Sequence, residues 1–123
     1  MPVYGIFLFR GALPQKETSS MASVTFEGGQ GHLTAYLTGE IDHHEAALLR
    51  QKIDSRAAGA DIRLLILDFG GVSFMDSSGV GLILGRQRRM QMVGGTLTVQ
   101  NPPPGVQKML ELARVPYLGK EKV

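Results

Sequence analysis

The chain predicts an α/β fold, a small mixed β-sheet with helices packed on it, and three stretches carry that prediction. "HLTAYLT", His32 to Thr38, alternates apolar and polar residues with the period of two that marks a half-buried strand. "LLILDF", Leu64 to Phe69, is a near-continuous apolar run of strand length, the pattern of a central strand covered on both faces. Segments of helical spacing closed by glycine lie between and after these strands, so helices and strands alternate behind an opening hairpin. With 123 residues the chain fits one domain, since roughly 100–150 residues make a typical one.

The elements follow in order. Val3 to Phe9 is apolar but far short of the roughly 20 residues that cross a bilayer, and Arg10 follows the run where a secretory signal would place charge before it. Neither a membrane span nor secretion is expected. Gly11 to Ser23 turns polar, with Pro14, Lys16 and Glu17. Residues 1–20 therefore read as an N-terminal extension, disordered or arising from a misassigned start, with the domain over residues 21–123.

A short strand over Val24 to Glu27, joined through "GGQG" to the strand at His32 to Thr38, makes a hairpin with Leu33, Ala35 and Leu37 on one face. His44 to Ala58 is a helix with Ala47, Leu48, Ile53 and Ala57 near one stripe and Gly59 as its stop. After Leu64 to Phe69, "GGVSFMDSS" leads as a loop into a second helix, from about Ser78 to Val93, closed by Gly94 and Gly95. Thr96 to Asn101 is a strand. "PPP" breaks the chain, and Gly105 to Ala113 is a short helix with Val106, Met109, Leu110 and Ala113 on one face.

Composition narrows the function. Hydrophobic residues are 43% and charged ones 20%, the usage of an ordinary globular domain. The net charge of +2 rests on 13 basic against 11 acidic residues, too thin a margin to argue for nucleic acid. Having no cysteine excludes disulfides, thiol catalysis and cysteine-based metal sites, and is compatible with a cytoplasmic protein.

The serines in "FMDSSGVGLILG", Phe74 to Gly85, admit four readings: nucleophile, phosphate loop, phosphate acceptor and helix cap. Neither Ser77 nor Ser78 has the paired glycines of a hydrolase elbow, and the histidines, His32, His43 and His44, all lie upstream. "GVGLILG" matches neither the dinucleotide nor the P-loop spacing. "DHHE", Asp42 to Glu45, looks metal-like but lacks a second cluster to complete a coordination shell, so a helix N-terminus favoured by acidic residues is its plain reading and no metal is expected. Arg86, Arg88 and Arg89 read as a solvated face late in the second helix. An acceptor remains. If Asp76 caps the helix, Ser77 stands exposed in its first turn, where a phosphate meets unpaired N–H groups and the positive helix end. Gly81 and Gly85, four apart, can form with Ser77 or Ser78 a small-residue stripe for a partner's backbone, or can pack on the sheet. Asp42 and Asp76 sit in loops expected to converge beside Ser77, as caps or as partners of cationic groups.

"TGEIDHHEA", Thr38 to Ala46, and "VSFMDSSGVGLILGR", Val72 to Arg86, in this order and spacing, resemble the STAS-domain anti-sigma factor antagonists of sporulating bacteria, in particular those acting on anti-sigma F factors. The likeness runs from about Met21 through Leu118. It implies a phosphorylation-controlled binding switch and not an enzyme. The unmodified protein would bind an anti-sigma factor that is also a serine kinase, ATP- or ADP-bound, and so release a sporulation sigma factor. The kinase would phosphorylate Ser77, and a serine phosphatase would reverse it. Partner contacts would fall on Asp42, His43, Asp76, Ser78, Gly79, Val80, Gly81 and Gly85. No cofactor, nucleic acid or membrane is implied, and the free protein would be a monomer. The extension before Met21 and the absence of a last helix after "ARVPYLGKEKV" depart from the family's pattern. The alternatives are a STAS module or scaffold of another partner-switching pathway, such as general stress response, and, more distantly, a small hydrolase.

Overall fold

The computed structural model describes residues 21–119, so the extension expected over residues 1–20 lies outside the described residues. The elements are β1 (Ala22–Gly29), β2 (His32–Ile41), α1 (His43–Ala57), β3 (Leu64–Met75), α2 (Ser77–Met92), β4 (Thr96–Gln100) and α3 (Pro104–Leu112). They form a four-stranded mixed sheet in the order β1-β2-β3-β4 with three helices packed on it. The hairpin pairs β1 and β2 antiparallel; β2 with β3, and β3 with β4, run parallel. Parallel neighbours need a crossover, and α1 and α2 supply the two crossovers while packing side by side.

One core holds the layers together. Leu33, Ala35 and Leu37 of β2 and Leu67 and Phe69 of β3 are fully buried in one cluster with Leu49 and Ile53 of α1 and Ile83 of α2. Each large side chain so buried contributes about 1.5–3 kcal/mol. The reverse face of β3 differs from expectation, because Leu64 and Ile66 are only half-buried among the described residues. Asp68, within the apolar run, is buried. Its carboxylate accepts from the Gly70 N–H (2.8 Å), Gln100 Nε2 (2.8 Å) and Asn101 Nδ2 (2.9 Å), which satisfies it and ties β3 to the end of β4.

Two further expectations shift. β3 does not stop at Phe69 but continues through "GGVSFM" to Met75, because two register shifts against β2 each insert one residue into β3. Bulges break the alternation from which strands are read. Gly71 belongs here: a Cβ would fall 2.6 Å from Thr38 Cγ2. The inward face of α1 is Glu45, Ala46, Leu49 and Ile53, with Ala47 exposed. Of the expected stripe Ile53 is buried, Ala57 packs against the core and Leu48 is half-buried, while Glu45 takes an inward place, where its Oε1 accepts the Ala22 N–H at 3.2 Å.

Candidate functional site

The parallel pairing of Ile41 with Met75 brings the ends of β2 and β3 side by side, about 4.8 Å apart as in any sheet. Both helices therefore start at one place. Asp76 N–H donates to the Ile41 carbonyl at 3.1 Å, bolting the two strand-to-helix turns together. Gly39, just upstream, has φ +92, and a Cβ there would lie 2.1 Å from the Met21 carbonyl oxygen, so only glycine lets β1 close over this turn.

The two aspartates are matched caps. Asp42 holds an extended backbone before α1 and accepts the Glu45 N–H at 2.9 Å; Asp76 does the same before α2, accepting the Ser78 N–H at 2.8 Å. One oxygen of each carboxylate is thus committed to its own helix, and both residues remain half-exposed. Ser77 is the first residue of α2 and is exposed, so its hydroxyl stands at the positive end of the helix.

The expected partner residues divide by exposure. His43 is exposed at the start of α1, and Ser78 and Val80 are half-buried, Val80 against the core. Gly79 departs from expectation. It is buried, and a Cβ would fall 2.2 Å from Met75 Cγ and Sδ, so packing on Met75 accounts for a glycine here. Gly81 and Gly85 are the opposite case: a Cβ at either meets nothing within 4 Å, so packing on the sheet does not explain them. With His43, Ala47, Arg50 and Ser78 they border a groove of about 340 Å³ between α1 and α2.

Arg86 also lines this groove, and its place corrects the reading of a solvated basic face. It is 7% exposed, with Nε 3.0 Å from Asp54 Oδ1, while Arg89 reaches the same carboxylate at 3.7 Å and is largely solvated. The Arg86 Nε–H does not point along that line, so Nε is ion-paired yet makes no hydrogen bond. Burial pulls the guanidinium below its ordinary pKa and Asp54 pushes it back. The signal was present in the sequence: Leu82, Arg86 and Met90 fall four apart on the buried face of α2.

Among the described residues no histidine hydrogen-bonds to Ser77 or Ser78, and no group of three His, Cys, Asp or Glu is placed to hold a metal. Among them, too, no helix is long and apolar enough to cross a membrane.

Fold and site define a small α/β module with two capped helix starts brought together at one end of the sheet and a groove between α1 and α2. The family model described as STAS domain matches residues 23–117. The chain belongs to the STAS domain family. A relative from Lysinibacillus sphaericus named anti-sigma F factor antagonist is 40% identical over 77 residues, 63% of this chain and 66% of that protein, so the chain spans just under two thirds of its length. The anti-sigma-B factor antagonist of Bacillus subtilis (strain 168) is 34% identical over 80 residues, 64% of this chain and 71% of that one. Among solved structures, the anti-sigma factor antagonist SpoIIAA in its unphosphorylated form superposes with a TM-score of 0.71 at 32% identity, covering 82% of this chain and 89% of that one. The phosphorylated form of SpoIIAA superposes with a TM-score of 0.66 at 31% identity, covering 82% and 92%.

Proposed function

We propose that this protein is an anti-sigma factor antagonist: unmodified, it binds an anti-sigma factor of the sporulation type and causes release of the sigma factor, and phosphorylation of Ser77 switches it off. The exposure of Ser77 at the first position of α2, directly after its cap Asp76, is the observation that carries this reading. A relative that exists in unphosphorylated and phosphorylated forms supports it. The protein acts as ligand and substrate: the anti-sigma factor supplies the serine kinase activity with ATP, a serine phosphatase restores the active form, and the exchange takes place in the cytoplasm.

The chemistry follows from the local charges. A phosphate on Ser77 adds roughly −1.5 to −2 charge beside Asp42 and Asp76, at a helix N-terminus that tolerates an anion. Folding is spared, and docking of a desolvating partner is penalised. His43, Ser78, Gly81 and Gly85 form the rest of the docking surface, with Asp42 and Asp76 offering their uncommitted oxygens to cationic groups.

The relative acting on an anti-sigma-B factor favours a second reading, the same switch in a general stress pathway. Incubation with ATP and purified anti-sigma F and anti-sigma B kinases, followed by phosphopeptide mass spectrometry, separates the two. Ser77→Ala should bind the cognate kinase and accept no phosphate, whereas full phosphorylation of that variant would place the site elsewhere.

A further inference from the structure

The groove between α1 and α2 carries two arginines, Arg50 and Arg86, to which the phosphoserine switch assigns no role. Both line the groove, Arg89 stands beside Arg86, and Arg86 pairs with the Asp54 carboxylate that Arg89 also reaches, so three guanidinium groups around Arg86 face one paired carboxylate, a local surplus of two positive charges. Arg86 is more than nine-tenths buried, lines the groove and lacks a hydrogen bond at Nε. A buried cation short of hydrogen-bond acceptors is costly unless something completes its shell. Arg50 stands exposed at the rim, and His43 and the half-buried Ser78 border the groove toward the helix starts. Nothing fills the space over Gly81 and Gly85, where even a methyl group would touch no neighbour.

We propose that this groove is a phosphate site, in which a dianionic phosphate group docks against Arg86 and Arg50 with Ser78 as an additional donor. Arginine's planar fork suits a tetrahedral oxyanion, and the local surplus of two charges matches a dianion better than a single carboxylate. The site is separate from Ser77, which does not line the groove, and it requires no protein partner.

The test is a titration of the full chain, labelled with ¹⁵N, with inorganic phosphate at constant ionic strength and pH, chloride making up the difference. Saturable shifts of the Ser78, Gly81 and Gly85 amides are expected, with acetate saturating the same amides more weakly. Arg50→Gln, an exposed substitution that leaves the core intact, should weaken phosphate binding about tenfold. Arg86→Lys keeps the charge without the fork and should weaken it as well, provided its spectrum remains dispersed. Should Arg86→Lys unfold, Arg50→Gln alone decides. Shifts that are absent or non-saturating, an undiminished affinity in Arg50→Gln, or acetate binding as tightly as phosphate would each overturn the proposal.

Discussion

Gly81 and Gly85 occupy the interior of α2, where glycine is about 1 kcal/mol worse than alanine. A Cβ at either position meets no atom within 4 Å, so the folded domain gives nothing back for that cost. The variant Gly81→Ala/Gly85→Ala should therefore be more stable than the parent by about 1–2 kcal/mol. In a domain of this size each kcal/mol moves Tm by roughly 4–8 °C. The same two methyl groups stand on the floor of the inter-helix groove, where a docking backbone has to approach, and binding to the anti-sigma factor should fall about tenfold or more. Gly79→Ala is the control of opposite sign. Its Cβ would sit 2.2 Å from Met75 Cγ and Sδ, and overpacking of this kind costs about 1–3 kcal/mol. Thermal unfolding followed by circular dichroism reads the first quantity and titration calorimetry the second. A double variant that melts lower than the parent, or one that binds unchanged, would refute the assignment of these glycines to a partner.

Further outcomes follow from the same geometry. Asp68→Ala strands the donors of Gly70, Gln100 and Asn101 and should cost about 2–4 kcal/mol in urea unfolding. Asp54→Ala removes the counter-ion of a buried Arg86 and should cost about 1–3 kcal/mol, below the range for a fully buried pair because Asp54 is partly exposed; Arg89, largely solvated, should be dispensable by comparison. Tyr36 donates its hydroxyl to Glu27 Oε1 at 2.8 Å, and this hydrogen bond, followed by burial and the Glu27 charge, raises its pKa above the ordinary value. Its folded pKa lies above the unfolded one, so its contribution is intact below the unfolded value and is lost as pH rises through the folded one. Absorbance at the phenolate band should show Tyr36 ionising later than a free tyrosine, and Glu27→Gln should bring the midpoint down.

Much of this architecture could be read from periodicity. The alternation of Leu33, Ala35 and Leu37 located β2, "LLILDF" located the heart of β3, and glycines and prolines marked the ends of the helices within a residue or two. Periodicity failed where a polar residue sits on the inward side. Glu45 takes an inward place on α1, and Arg86 breaks the apolar face of α2, because each finds a partner from elsewhere in the chain, Ala22 and Asp54. The extension of β3 past Phe69 was hidden for another reason: its two bulges are defined by pairing with β2, and pairing is not a local property. At the helix starts the caps were legible, since aspartate before a helix has a local meaning. The glycines were not, because one spacing hides two roles: Gly79 packs on Met75, while Gly81 and Gly85 face open space.

The account depends on one phosphate placed on Ser77 governing recognition without disturbing the fold. Its most direct measurement is titration calorimetry of the cognate anti-sigma factor with this protein, purified once unmodified and once stoichiometrically phosphorylated at Ser77. A docking penalty of about 3–4 kcal/mol predicts an affinity several hundred-fold lower for the phosphorylated form, with both forms unfolding at similar temperatures. Equal affinities, or a phosphorylated form that no longer folds, would contradict it.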